Sequence, residues 1–150
     1  MDNFEFKKEL LGYCINLKIA NAENISAAMN DAQQSANDYG SPKDRYDSFR
    51  TQMLAKRDMF AQQLQTIQSE LLLLQRIEVN KIINSVGFGA LVFLPDQIIF
   101  IAVGLGKVEF KGHICYVVSL HVPLCQAMNG LQKGDSFDFR GRKMEVLDIC

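Results

Sequence analysis

Tyr39-Gly40-Ser41-Pro42-Lys43-Asp44-Arg45-Tyr46-Asp47-Ser48-Phe49-Arg50 is the stretch on which the fold of this chain turns. Gly40 to Pro42 interrupts two long periodic runs, and apolar residues recede from it at matched distances on both sides. Before it, Leu11, Ile15, Lys18, Ala22, Ile25, Met29, Ala32, Ala36 and Tyr39 step alternately by four and three. After it, Tyr46, Phe49 and Met53 lead into Phe60, Leu64, Ile67, Leu71 and Leu74, which step in the same way. Folding the chain at the turn sets Ala36 against Phe49, Ala32 against Met53, Ile25 against Phe60 and Leu11 against Leu74. Small residues face large ones, the pattern of an intramolecular antiparallel coiled coil. Arms of about 33 residues would reach roughly 50 Å at the helical rise.

The seam carries Lys18 and a stutter at Lys56-Arg57. Their long stems are expected to let the charges snorkel out of the seam. At the turn, Ser41 suits an N-cap, Pro42 the first helical position and Asp44 the third, close to a capping box. Asp47 also gains from the positive end of the helix dipole. Capping therefore accounts for the carboxylates without any chemistry. The alternative is that Asp44 and Asp47, three apart on one face, present two carboxylates to a divalent ion or a water.

Working outward, the chain has two compositions. Residues 1–80 are rich in Ala, Gln, Leu, Met, Lys and Glu and hold two glycines, as long helices do. Residues 85–150 hold the other eight glycines and short alternating runs, as a compact sheet domain does. Strands are expected at 86–93, 97–103, 107–110, 113–120, 136–139 and 143–150, with a short helix at 123–129 closed by Gly130. The fold class is α+β: a helical hairpin followed by a domain with a bent antiparallel sheet.

With 150 residues and a net charge of −1, the chain has no basic field for non-specific binding to nucleic acid or anionic membrane. Neither a leader nor an 18-residue apolar run is present, so a cytoplasmic protein is expected. Cys14, Cys115, Cys125 and Cys150 form no C-x-x-C pair. His113, Cys115, His121 and Cys125 fall within 13 residues, but the first two alternate along a strand, and buried reduced thiols are the simpler reading.

Residues 85–150 resemble the C-terminal domain of the Gre transcript-cleavage factors. The likeness is carried by Val86-Gly87-Phe88-Gly89-Ala90-Leu91-Val92, by Val118-Ser119, and above all by Pro123-Leu124-Cys125-Gln126-Ala127-Met128-Asn129-Gly130 with Lys133-Gly134-Asp135. That last stretch reproduces the family's P-L-x-x-A-L-x-G…G-D spacing. The tip string Lys43 to Arg50 is also similar to the D-K-Y-E-x-x-R pattern of short Gre-like proteins of the Bacteroidetes.

The resemblance implies an FK506-binding-protein-like fold for residues 85–150, docking on the rim of core RNA polymerase, and a coiled coil that threads its secondary channel. Pro123, Leu124, Gln126, Met128 and Gly130 would lie at the docking surface. Ser41, Pro42 and Tyr46 would lie at the channel end of the rod, where Asp44 and Asp47 would help the polymerase hold a shared Mg2+ ion beside the RNA 3′ end. The protein itself would be no enzyme, would carry no cofactor of its own, and would need no membrane or small-molecule substrate. In the family's G-D-L-x-E-N-A-E-Y tip, Asp44 falls on the first Glu and Asp47 on the later one, but Ser41 replaces the first Asp. A different reading is a non-catalytic interaction scaffold. Prolyl isomerisation, known on the same fold, would need an aromatic-lined pocket that the sequence does not reveal.

Overall fold

The structure, a computed structural model, describes residues 2–38 and 44–150, with the backbone alone for 44–47. It is an α+β protein whose chain divides into two compact units, Ile15–Leu72 and Met1–Cys14 together with Leu73–Cys150. The Ser41 and Pro42 cap expected for the second helix lies outside the described residues.

Ile15–Leu72 contains most of two helices, α1 (Asn3–Asn37) and α2 (Asp44–Gln75). Neither has proline, and both are built from strong helix formers. Of the seam positions, Ala32, Ala36 and Ile67 are buried, and Ile25, Met53, Phe60 and Leu64 are half-buried. Ala32 and Met53 line one recess between the helices, as the small-against-large pairing requires. Arg57 donates to Gln33 across the pair, and Lys18 reaches Glu70, so the helices run antiparallel.

Lys18 does not snorkel. It is only 7% exposed, and its Nζ lies 3.1 Å from both carboxylate oxygens of Glu70. A charge that finds an opposite charge across a seam can stay there, with Coulomb attraction offsetting lost hydration.

The other unit is built on a five-stranded sheet of order β3-β4-β2-β1-β7, from β1 (Leu91–Phe93), β2 (Ile98–Ile101), β3 (Gly106–Phe110), β4 (His113–Val118) and β7 (Asp148–Ile149). Its pairs are antiparallel except β2 with β4, which run parallel with Ile99 opposite Tyr116. A separate hairpin pairs β5 (Ser136–Phe139) with β6 (Arg142–Glu145), and α3 (Pro123–Met128) precedes it.

Strand periodicity sorts the residues into two faces. Val92, Ile99 and Ile101 pack with Cys125 and Met128 of α3 and with Met144 and Val146. Leu91, Phe100, Cys115 and Val117 alternate with these and are buried too. The first turns of α1 are tied to this same unit. Lys7 donates to the Cys150 carbonyl, Asn3 to Asp148, Glu9 pairs with Lys111, and the Phe6 ring meets Phe110 and His113.

Two strands differ from expectation. Residues 86–90 are not strand; they turn through Gly89 at φ +85°, where Ile77 packs beneath. The expected strand at 143–150 divides: Arg142–Glu145 pairs in the hairpin, and Asp148–Ile149 crosses to the main sheet. Met144 and Val146 are buried in the first piece, and the apolar pattern shifts phase at Leu147-Asp148-Ile149, where the chain changes partner.

All four cysteines are buried, and none forms a disulfide. Burial pushes Cys115 and Cys150 up and raises Cys125 to about 11. His113 is exposed at the start of β4 beside the Phe6 ring, while Cys115, two residues on and on the same face, is buried, and among the described residues no group of side chains is placed to hold a metal ion. Among the described residues, no helix is long and apolar enough to cross a membrane.

Candidate functional site

The site is built around α3. Val122 is extended, and Pro123 follows at the first helical position, where a missing N–H costs nothing. Ser119 shapes the approach: its hydroxyl accepts from His121 N–H at 3.0 Å, and its carbonyl accepts from Val122 N–H at 3.3 Å. The helix stops at Gly130, whose φ of +80° suits a residue without a side chain. Gly130 N–H donates to the Val86 carbonyl at 2.8 Å, and Val86 N–H donates to Leu131, so the end of α3 is bonded to the segment that leads into the sheet.

Three residues apart on the inner side, Cys125 and Met128 anchor the helix in the core. Its other side faces a groove of about 370 Å3. Val122, Pro123 and Leu124 form one wall, Ile99, Tyr116 and Val118 come from the sheet, and Phe139 and Arg140 close it from the hairpin turn. Arg140 takes φ +51° in that turn and lays its guanidinium 5.0 Å from the Phe139 ring centroid. The groove is mixed in polarity: apolar side chains share it with the Arg140 cation, the Gln97 amide and the Tyr116 ring. Such a surface seats an apolar side chain and can recruit a carboxylate beside it. Among the described residues, its lining is Gln97, Tyr116 and Arg140 with apolar side chains, and no Ser, Cys, His or acidic residue is among them.

Of the expected docking residues, the structure brings Pro123 and Leu124 together in the groove wall. Gln126 is exposed, with its amide donating to the Leu120 carbonyl at 3.0 Å. Met128 is a correction: at 0% exposure it is a core residue with no surface to offer, because its i+3 spacing from Cys125 turns it inward. Gly130 serves through its backbone. Asp44, Tyr46 and Asp47 fall in the first turn of α2, with side chains outside the described residues, as are Ser41 and Pro42 altogether. No geometry for a Mg2+ site follows from them.

The aromatic-lined recess that the sequence did not reveal does exist, with Tyr116 and Phe139 as its rings. Its members, from Gln97 to Arg140, are far apart in the chain, and only the sheet order and the hairpin fold bring them together.

No protein-family model matches the chain. No curated protein matches it in sequence either. Among solved structures, it is similar to the transcription factor Gfh1, with 17% identity, 90% of this chain and 92% of that one covered, and a TM-score of 0.35. It is likewise similar to GreA factor homolog 1 (Gfh1) of Thermus thermophilus, with 15% identity, coverage of 95% and 93%, and a TM-score of 0.37. Superpositions this loose carry no argument about what the chain does.

Proposed function

We propose that the protein is a Gre-like regulator of RNA polymerase that docks on the rim of the core enzyme through the α3 groove and places the connection between α1 and α2 in the secondary channel. The observation that supports this reading most is local. Pro123 and Leu124, from the stretch that resembles the family, form a wall of the groove, while Cys125, Met128 and Gly130 of that stretch fix the wall to the core. The FK506-binding-protein-like fold of residues 85–150 and a cytoplasmic location belong to the same proposal.

In this reading the protein makes and breaks no bonds itself. Leu124 and its neighbours take an apolar side chain of the polymerase, and Arg140 takes a carboxylate beside it. Asp44 and Asp47 then stand near the polymerase's own active site, where carboxylates can share a Mg2+ ion and stabilise an attacking water. Ser41 leaves that set one acid short of the family's.

The test is retention of core polymerase by the immobilised protein. Leu124→Asp, which sets a charge in the groove, should weaken retention by about tenfold or more. Unchanged retention by the folded variant would overturn docking through the groove. In a backtracked complex, Asp44→Ala should abolish stimulated cleavage; if the unmodified protein stimulates none, it is a channel-occupying regulator.

A second reading, a scaffold acting through its helices, is favoured by the exposed Ile19, Met59 and Leu72. It predicts no polymerase retention, together with self-association or helix binding that is lost when these three become polar.

A further inference from the structure

The α3 groove leaves a second concave surface without a role. Residues 76–89, which carry the chain from α2 to β1, line a recess of about 430 Å3. A neighbouring hollow shares Ile77, Glu78 and Lys81 with it, so the 77–81 stretch stands as a ridge between the two. Ile82 and Phe88, at 73% and 38% exposure, hold large apolar side chains in water beside this ridge. Ile77 is buried beneath it, packed 3.7 Å from where a Cβ on Gly89 would stand. The recess therefore has a firm floor and an apolar rim.

Its charges decide the kind of partner. Arg76 and Lys81 line the recess, and among the described residues neither enters an ion pair. Glu78 is the one acidic residue of the lining, which leaves the recess net positive. Of the lining amides, that of Gly89 is already bonded to the Ile101 carbonyl at 2.7 Å, so the side chains of Arg76 and Lys81 are the positive groups the recess offers. We propose that this recess docks an extended, acidic protein segment that carries an apolar anchor. The anchor sits against Ile82 and Phe88, and flanking carboxylates meet Arg76 and Lys81. This surface is separate from the α3 groove and goes beyond the polymerase reading.

The full chain is titrated, by fluorescence anisotropy, with a labelled peptide Asp-Glu-Leu-Phe-Asp-Glu and with its counterpart Lys-Arg-Leu-Phe-Lys-Arg. The acidic peptide should bind and the basic one should not, and binding should weaken as salt is raised. Arg76→Glu with Lys81→Glu should weaken it by about tenfold or more, and Ile82→Ser should weaken it while the melting temperature stays unchanged. Leu124→Asp should leave it unaffected, which separates this site from the groove. Equal binding of both peptides, indifference to charge reversal, or preference for a single-stranded oligonucleotide over the acidic peptide would overturn the proposal.

Discussion

Lys7→Met should leave the protein as stable as the parent or make it more so. Lys7 is fully buried, with its Nζ donating to the Cys150 carbonyl at 2.9 Å. Desolvation holds its ammonium below the usual lysine value, while the nearby Cys150 thiol, when ionised, acts in the opposite direction. Methionine keeps most of the stem and removes the charge, and the Cys150 carbonyl retains the Leu91 amide at 2.9 Å. Replacing a buried charge by an apolar group of like volume ranges from neutral to about 4 kcal/mol stabilising. Lys7→Ala instead loses three methylenes, about 2.4 kcal/mol at about 0.8 each, plus a cavity.

The pH dependence has a definite sign. Because the folded value lies below 10.5, the unfolded chain binds more protons between the two values. Stability of the parent therefore rises with pH across that window. The penalty for the buried charge is complete below the folded value and fades toward 10.5. Urea titrations of both proteins at neutral and alkaline pH should show the advantage of Lys7→Met shrinking as pH rises. A loss of about 2 kcal/mol or more at pH 7, or a gap that ignores pH, would refute the reasoning by showing that the ammonium is a net stabilising partner.

Breaking the Lys18–Glu70 pair by Glu70→Leu alone should cost about 2–4 kcal/mol, whereas Lys18→Met with Glu70→Leu should recover most of it, as a double-mutant cycle in urea would measure. Gly130→Ala should cost about 1–2 kcal/mol through its left-handed backbone alone, since no atom lies within 4 Å of the added methyl. Cys125, raised from 9.0 to about 11, should stay unreactive toward thiol reagents in the folded state. Its thiolate forms first in the unfolded chain, so it should subtract up to about 2.7 kcal/mol as pH climbs from 9 through 11. Cys125→Ala should flatten that decline in urea titrations.

The helices were legible because one seam repeats over many turns, and a period sustained from Leu11 to Ala36 admits few other structures. Glu70 was not legible as the partner of Lys18, because it lies 52 residues away, and the seam pattern marks apolar positions rather than charge pairs across the helices. The gaps left between the expected strands at 107–110 and 113–120, and at 136–139 and 143–150, hold the turns Lys111-Gly112 and Arg140-Gly141, where lysine and arginine take positive φ. What the sequence hid was pairing at a distance. Met144 and Val146 alternate with Glu145 as one strand would, but the pattern shifts phase at Leu147-Asp148-Ile149, and the two pieces pair in different sheets. The groove was hidden for the same reason: Pro123 and Leu124 stood out, while Tyr116, Phe139 and Arg140 join them only once β4 and the hairpin are in place. The i, i+3 spacing of Cys125 and Met128 carries the signal that both face the core.

We propose that the chain meets core RNA polymerase at two places at once, the α3 groove and the connection between α1 and α2. The most direct test of that proposal is the affinity of the purified protein for core polymerase, measured beside a variant in which residues 41–50 are replaced together with Leu124→Asp, while the buried Cys125 and Met128 and the turn at Gly130 are left in place so that the melting temperature is preserved. The parent should bind, and the variant should lose that binding. Full binding by the variant, or none by the parent, would contradict it.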